Sequence, residues 1–535
     1  MAKIVPVRPP LKGLNTLDPF VDFNSGYARE LTNYAIYNGR LHQRPAVRTT
    51  GDPTLSIGII HWFDGSKAID YVTGNIYDTI TGATAAGIGG ACHNHAYTIK
   101  HASIELLFGC REPRSPSNPA FTAWTFTTLG LTATAIEGGC SHKGRLYVHD
   151  GSTIEYSDIA QITGAIPAGN TRDYTDLLSG QEILRCFSVT VQPGNQTENV
   201  FVIFGKSGRV LVFQGDYPKA TNWYLIGKFD MPKSPNCVSF VEIDGDIWVS
   251  TIKYAYWLRD LFEGGAQTAY QNSPSLPVET LWQALQWDDS AAAALPEASH
   301  SFYLGRVEDT EMDAIVCQCS EKNGTASQLG SIADYNNEAA QLVYFRKYNA
   351  WALWLGTPFF TPVRETSAGV YSAVDYTNLI KYLSMEYLQD FDQDGSNTYV
   401  EYDIETSWKT PYIEPFGGRV QKLVGVRPYY KNTLNGNLAL VEAIFDYSDL
   451  NSPWGFATQS TVTEIPAGVS VDGSLDREAN DWDTYNGYIP IGGEGGTLSL
   501  RFTQKPKTGT SDDAQMHDML AANAYVEDGG EMVGG

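Results

Sequence analysis

The sequence predicts a large all-β protein: an irregular β-propeller with an N-terminal extended arm and a C-terminal β-sandwich. The composition includes 12% aromatic residues, 51 glycines and 26 prolines, which favours short strands joined by tight turns over helices. In the middle of the chain, short apolar stretches repeatedly flank Asp-Gly and Gly-Asn turns, the strongest short-range signal of β-hairpins. After about residue 401 the strand patterns lengthen, which indicates a sandwich.

Residues 1–54 are predicted to form an extended arm and docking segment, because three prolines among the first ten residues restrict the backbone to extended geometry. A short helical turn is predicted at residues 27–34, where Ala28 and Leu31 share a helical face. The first 50 residues carry a net charge of +4 and the remainder −28. Such an arm can dock on an acidic neighbour; the alternative is that the uneven charge has no function.

Residues 55–400 are predicted to form the propeller. Hairpin patterns recur at residues 144–156, 200–213 and 241–250, and none of these units can bury its apolar face alone. At ~45 residues per blade, the length of the region corresponds to roughly seven or eight blades. A series of β-sandwiches remains the alternative.

Residues 401–535 are predicted to form the sandwich, followed by a flexible tail from residue 527. Two helices are expected to interrupt the strand pattern, because apolar residues recur there at helical spacing. They lie at residues 277–287 and 512–521.

Charge and cysteine content restrict the class of protein. The net charge is −24, from 37 Lys and Arg against 61 Asp and Glu, and such a surface repels phosphate and anionic membranes. The seven scattered cysteines fit a reducing compartment and form no disulfide framework. No stretch approaches the ~18 apolar residues of a membrane span. We therefore expect synthesis in a cytosol, no membrane anchor and no specific DNA binding.

One metal-binding motif is complete in the sequence. Asp390, Asp392, Asp394, Gly395 and Glu401 match the calcium-loop pattern, in which several hard oxygens converge around a glycine turn. The flanking residues have strand patterns and lack the helices of an EF-hand. The prediction is a structural calcium ion in a surface turn, with an ion-free acidic hairpin as the alternative.

Other motifs are incomplete, and we expect no catalytic site and no further cofactor. Gly205–Ser207 lacks the first glycine of a phosphate-binding loop, and Gly139–Lys143 lacks the last glycine of a nucleophile elbow. The histidines and cysteines of residues 92–110 match no zinc spacing. Paired carboxylates for glycoside hydrolysis need no local motif, so a carbohydrate-binding or carbohydrate-active propeller remains the alternative function.

Three patches of the chain resemble a family of tail proteins of short-tailed bacteriophages, known as tail nozzle, tail tube B-like or packaged-DNA stabilisation proteins. The first patch lies within residues 13–45, the second within 144–158 and the third within 402–422. The resembling residues are Gly13–Pro19, Gly26–Ala28, Leu31, Asn33, Gly39, Leu41, Arg44–Pro45, Gly144–Val148, Tyr156–Asp158, Tyr402–Trp408, Thr410–Tyr412, Gly418–Arg419 and Lys422.

The resemblance implies a structural virion protein that forms a homohexameric ring below the portal and adaptor. The ring would be a conduit and closure for the genomic DNA and a platform for the needle, spike or fibre proteins. The chain would be assembled in the bacterial host cytoplasm and reside in the virion tail. Its acidic surface agrees with this role, because a wall without cations lets DNA pass without holding it.

Overall fold

The computed structural model describes the larger part of the chain, in segments, with side chains placed for most of these residues. The described residues are 2–16, 26–49, 60–63, 67–70, 76–78, 84–85, 97–102, 104–108, 136–161, 166–167, 169–191, 198–285, 303–308, 312–318, 340–355, 364–365, 371–374, 380–384, 389–393, 399–412, 414–417, 419–432, 438–445, 460–465, 483–485, 491, 493–505 and 518–531.

The N-terminal segment is extended, as expected, but all of its strands pair within larger sheets. These strands are β1 (Lys3–Val7), β2 (Glu30–Thr32), β3 (Tyr34–Tyr37), β4 (Arg40–Gln43) and β5 (Ala46–Thr49).

Where the structure describes it, the central region consists of antiparallel meanders, interrupted by two helices and two short 3₁₀ turns at Leu276–Val278 and Arg346–Tyr348. The elements are β6 (Ile60–Phe63), β7 (Lys67–Asp70), β8 (Ile76–Asp78), β9 (Thr84–Ala85), β10 (Tyr97–His101), β11 (Ile104–Phe108), β12 (Gly138–His142), β13 (Arg145–Asp150), β14 (Thr153–Tyr156), β15 (Thr171–Asp173), β16 (Ile183–Val191), β17 (Glu198–Gly205), β18 (Arg209–Gln214), β19 (Tyr224–Asp230), β20 (Phe240–Ile243), β21 (Asp246–Ser250), β22 (Ala255–Trp257), α1 (Leu258–Gln271), α2 (Glu279–Leu285), β23 (Tyr303–Glu308), β24 (Asp313–Gln318), β25 (Ala340–Phe345), β26 (Ala350–Leu355), β27 (Arg364–Glu365), β28 (Tyr371–Val374) and β29 (Ile380–Ser384).

The C-terminal region contributes a further ten strands within the described residues. These are β30 (Gln389–Gln393), β31 (Tyr399–Asp403), β32 (Thr406–Lys409), β33 (Arg419–Asn432), β34 (Leu438–Phe445), β35 (Ser460–Ile465), β36 (Asp483–Tyr485), β37 (Gly493–Gly495), β38 (Leu498–Lys505) and β39 (Asp518–Glu531).

The central meanders form a propeller-like circuit of seven small sheets among the described residues, which we call blades one to seven in chain order. The blades are β6–β9, β10–β11, β12–β15, β16–β19, β20–β22, β23–β26 as one end of a nine-stranded sheet, and β27–β29 with β5, whose sheet continues into β30 and β31. Each blade from the second to the sixth contacts the next, and blade seven contacts blade one through β28 and β6. The N-terminal strand β5 pairs with β29 on one side and with β30 on the other, so hydrogen bonds join the N-terminal segment to the last blade of the circuit.

Adjacent blades are held by shared apolar clusters, which is the packing expected of propeller sheets that each bury two faces. Tyr147 of blade three packs against Phe201 of blade four, with ring centroids 4.7 Å apart. Trp248 of blade five packs against Tyr344 of blade six at 5.1 Å. These contacts bury the aromatic residues that the composition provides.

The sandwich consists of two sheets that share one core. One sheet has the order β3-β4-β39-β33-β36, with β1 added on β39 and β37 on β33. The other sheet extends from blade six in the order β26-β2-β32-β38-β34-β35. Apolar residues of both sheets belong to a single buried cluster, including Val426 and Ala524 of the first and Val441 and Phe502 of the second.

Helix predictions were partly confirmed. The predicted helix at 277–287 is present as a 3₁₀ turn followed by α2, whereas α1 was not anticipated. The predicted helical turn at 27–34 was wrong, because Leu31 lies in β2 and pairs with Trp408. The predicted helix at 512–521 was wrong over its described part, since β39 begins at Asp518 and pairs with β33. In both cases pairing with a distant strand overrides local helical spacing.

The expected flexible tail also differs from the structure. Residues 527–531 are the last part of β39, where Asp528 is paired with Gln421 and Glu531 with Arg419. The guanidinium of Arg419 also forms an ion pair with the Asp528 carboxylate. A distant partner strand therefore orders a segment whose glycines suggested flexibility; residues 532–535 lie outside the described residues.

Candidate functional site

The predicted calcium loop lies on a hairpin formed by β30 and β31. The strand pattern expected after the acidic residues is present as β31, and the motif has no flanking helices in the part of the chain that the structure describes. Phe391 is the register partner of Glu401, whereas Asp390 pairs with Tyr402 and Asp392 with Val400. Asp394 and Gly395 lie outside the described residues. The register therefore pairs Glu401 with neither Asp390 nor Asp392, and calcium binding stays a prediction.

Other candidate residues from the sequence have structural partners where they are described. Lys206 lies in the turn between β17 and β18, and Gly139 in β12. The His101 ring contacts the Ser141 hydroxyl at 3.0 Å and the Gln161 carbonyl at 3.1 Å. Cys92, His93, His95 and Cys110 lie outside the described residues. Within the described segments, no group of three or more His, Cys, Asp or Glu side chains is placed to hold a metal ion.

Two of the resembling sequence patches meet at the boundary between propeller and sandwich. Asn33, which has a positive φ of 57°, bridges three segments. Its side-chain amide donates to the Glu405 carbonyl at 2.9 Å, while its side-chain oxygen accepts from the Leu355 N–H at 2.7 Å. The Asn33 N–H donates to the Leu353 carbonyl. One asparagine thus connects the N-terminal segment to blade six and to the third patch.

Arg44 completes this contact from within the core. The side chain is buried, and its guanidinium donates to the Asn33 side-chain oxygen at 3.1 Å, the Pro45 carbonyl at 2.9 Å and the Leu355 carbonyl at 3.0 Å. A buried guanidinium is tolerated only when its donors are satisfied. The Arg44 guanidinium therefore holds the Pro45 carbonyl, the Leu355 carbonyl and the Asn33 side chain in fixed positions around it.

The first patch also approaches blade six at Gly13. A Cβ atom at this position would lie 2.4 Å from the backbone nitrogen of Trp351, and φ is +78°. The next residue, Leu14, donates its N–H to the Trp351 carbonyl. Only glycine permits this approach. We call the region of Gly13, Asn33, Arg44, Trp351 and Trp408 the junction.

A separate group of charged residues lies where the turns of blades three and four meet, and we call it the Lys206 cluster. The Lys206 ammonium forms ion pairs with Glu182 and, at 3.5 Å, with Glu137. Burial lowers the pKa of Lys206, but these two carboxylates outweigh burial and the net pKa is raised. Burial raises the pKa of Glu137 despite the nearby ammonium.

Asp150 and Glu155 extend the Lys206 cluster across one face of blade three. Asp150 pairs with Thr153 and Glu155 with Val148, so the two carboxylates are diagonal neighbours on that face. Burial, together with the charge of Asp150, raises the pKa of Glu155 to about 7. Burial also raises the pKa of Asp150, and Glu182 adds to this. A carboxyl group that stays protonated near neutral pH beside a second carboxylate is an arrangement that acid–base chemistry uses.

No sequence motif predicts the Lys206 cluster. Asp150 and Glu155 share the β13–β14 hairpin, Glu137 precedes β12, and Glu182 and Lys206 lie beside strands of blade four. The packing of blade three on blade four brings Glu182 and Lys206 beside the carboxylates of blade three.

The second resembling patch is a structural motif of blade three. The Ser157 hydroxyl accepts a hydrogen bond from the Leu146 N–H at 2.9 Å. The Arg145 guanidinium pairs with Asp158 at 3.3 Å and lies 4.5 Å from the centre of the Tyr217 ring of blade four. The patch therefore fixes a turn and a contact between blades.

Comparison with known proteins gave structural likenesses alone. No protein-family model matches the chain, and no curated protein matches it. BamB from Moraxella catarrhalis aligns with 64% of this chain and 97% of its own, at 9% identity and a TM-score of 0.30. The Trypanosoma rangeli sialidase in complex with 2,3-difluorosialic acid covers 98% of this chain and 96% of its own, at 10% identity and a TM-score of 0.23.

The fold described above accordingly rests on the strand pairings and shared cores of this chain. Among its described helices, none is long and apolar enough to cross a membrane.

Proposed function

We propose that the chain is a structural virion protein that forms the tail nozzle ring below the portal and adaptor. In this role it is a conduit and closure for genomic DNA and an attachment platform for needle, spike or fibre proteins. The observation that carries the proposal is the meeting of the first and third resembling patches at the junction, where Asn33 donates to the Glu405 carbonyl. These residues fix the sandwich to the propeller, which is a structural task.

The contacts of the resembling residues support this proposal. Gly13 permits close backbone approach, Arg44 satisfies carbonyl groups in the core, and Trp408 stacks on Phe502 at 4.7 Å. None of the three contacts brings a nucleophile beside a base. In this role the subunit needs a rigid connection between its parts, and DNA passes it without specific binding.

A localisation experiment tests the proposal. Antibodies against the purified chain are applied to virions of the phage that carries its gene and viewed by immunogold electron microscopy. Label at the tail below the portal is expected. Label on the capsid, or virions that lack the chain by mass spectrometry, would overturn the proposal. A gel-shift assay with duplex DNA at ~150 mM salt is expected to show no complex, because the net charge of −24 repels phosphate.

A second candidate function is a carbohydrate-active propeller, and the placement of Asp150 and Glu155 on one face favours it. A protonated Glu155 near neutral pH has the property of a general acid. A glycan array followed by a hydrolysis assay separates the two candidates. Hydrolysis that is lost in both Glu155→Gln and Asp150→Asn would support the enzyme, and no binding or turnover by the wild type would exclude it.

A further inference from the structure

The outer strand of blade four carries a row of exposed apolar side chains. Tyr224, Leu225 and Ile226 are 50%, 37% and 48% exposed and follow one another in β19. β19 is the last strand of its sheet and pairs only with β18. One edge of β19 therefore presents backbone N–H and C=O groups that no strand of the described chain uses.

The backbone explains why three consecutive residues are exposed rather than alternate ones. Val212 pairs with Gly227 and Phe213 with Leu225, so Ile226 is the extra residue of a β-bulge. A bulge interrupts the two-residue alternation of a strand and redirects its side chains. Together with the edge position of β19, the bulge leaves three consecutive apolar residues exposed. Helix α1 also contacts β19, but it leaves these three side chains uncovered.

Two basic side chains flank this row. Lys219 and Lys228 are exposed, and within the described residues no carboxylate lies within ion-pair distance of either ammonium. The acids nearby already have partners: Asp216 pairs with Lys143 and Asp230 with Arg209. The surface of Lys219, Tyr224, Leu225, Ile226 and Lys228, which we call the β19 patch, is thus apolar and locally basic on a strongly acidic chain.

We propose that the β19 patch is a contact surface for a second copy of this chain. The inference rests on the ring in the proposed function and names the surface that builds it. Two copies with a charge of −24 each repel one another over most of their surfaces. A contact is favoured where apolar area is buried and free ammonium groups meet the acidic surface of the neighbour. The β19 patch combines both properties, and its open edge adds backbone hydrogen bonds.

Mass photometry and analytical ultracentrifugation of the purified full-length chain test this inference. The wild type is expected to self-associate. The Leu225→Ser/Ile226→Ser variant removes the apolar row, and the Lys219→Glu/Lys228→Glu variant reverses the charges. Each is expected to weaken association about tenfold or more, since central apolar anchors and charge pairs dominate contact energies. The matched control is Ile159→Ser, which removes a 68% exposed apolar side chain outside the patch and is expected to associate like the wild type.

Circular dichroism and thermal unfolding establish that each variant is folded, and the two independent variants keep the test decisive if one is not. A photoreactive phenylalanine analogue in place of Ile226, in a mixture of isotope-labelled and unlabelled chains, identifies the occupant by mass spectrometry. Crosslinks between labelled and unlabelled chains support the inference. If both variants assemble like the wild type, the β19 patch is not the contact, while the ring proposal stands. If the wild type stays monomeric, the ring itself is contradicted.

Discussion

Blade four and the sandwich are both antiparallel and both have apolar interiors, but they are assembled from different parts of the chain. All four strands of blade four lie within residues 183–230, and each pairs with its neighbour in sequence. In the sandwich, Lys3 of β1 pairs with Val526 of β39, and Glu30 of β2 with Lys409 of β32. Folding of blade four closes only short loops, whereas the core of the sandwich forms only when both ends of the chain have come together.

Deletion of residues 2–12 is expected to give the largest difference in effect between the sandwich and blade four. It removes β1, including the buried side chain of Val7, and uncovers the edge of β39. Hydrogen exchange measured by mass spectrometry should become about tenfold faster or more in β39 and β33, because local opening there needs less free energy, and stay unchanged in β16–β19. The control is Ile4→Ser, which alters an exposed residue of the same strand. Equal loss of protection in blade four would show that the two regions are not independent.

Arg44→Ala tests the junction between the regions. The substitution leaves the Leu355 and Pro45 carbonyls and the Asn33 side-chain oxygen without the guanidinium in a buried site. The free energy of unfolding in urea should fall by about 3–5 kcal/mol. Arg172→Ala, at an exposed arginine of blade three, should change it by less than about 0.5 kcal/mol. Equal effects of the two substitutions would mean that Arg44 contributes little to the junction.

Two glycines with nearly the same φ allow the junction to be compared with a blade. Gly13 has a φ of +78° and Gly245, in the turn between β20 and β21, has a φ of +79°. Gly245→Ala should lower the free energy of unfolding by about 1 kcal/mol, because the new Cβ has no close neighbour and adds only the strain of a positive φ. Gly13→Ala should cost about 3 kcal/mol, since its Cβ also meets the backbone of Trp351. Urea unfolding measures both, and similar losses would contradict the close approach at Gly13.

His149 makes the stability of blade three sensitive to acid. Its ring is buried, and within the described residues neither ring nitrogen has a hydrogen-bond partner. Burial together with the Lys206 charge lowers its pKa to about 3. Below its ordinary pKa of 6.5 the unfolded chain binds the proton first, so stability falls as the pH drops from 6.5 towards 3. When the pH is lowered from 7 to 4, the free energy of unfolding of the His149→Phe variant should fall by about 2–3 kcal/mol less than that of the wild type. Parallel pH profiles of unfolding would contradict this.

The raised pKa of Glu155 should produce the smallest effect on stability, and its dependence on pH should be opposite to that of His149. Its folded pKa of about 7 is above its ordinary value of 4.5, so the folded chain holds a proton that the unfolded chain has released. Stability is therefore lost as the pH rises through this window. Glu155→Gln should raise the thermal midpoint at pH 8 and leave it nearly unchanged at pH 4, with Glu263→Gln as an exposed control. A midpoint at pH 8 that does not rise would contradict the raised pKa.

The sequence predicted the regular parts of the fold better than the interfaces between them. Hairpins such as residues 200–213 are visible because the strands and their turn adjoin in the chain, and they are present as β17 and β18. The short segments near Leu31 and Asp518 were predicted as helices, because spacing alone does not reveal a partner strand hundreds of residues away. The Lys206 cluster and the β19 patch were not predicted either, since they depend on blade packing and on a bulge at Ile226.

By itself, the sequence determined an all-β chain of short hairpins, a longer-stranded C-terminal region and a strongly acidic surface, because composition, turn residues and charge are properties of neighbouring residues. Only the tertiary structure decided that β5 completes blade seven and that β1 pairs with β39. It also decided that Asn33 and Arg44 connect the two regions. These contacts join residues that are distant in the chain, and their free energy comes from burial and hydrogen bonds that exist only once both partners are in place.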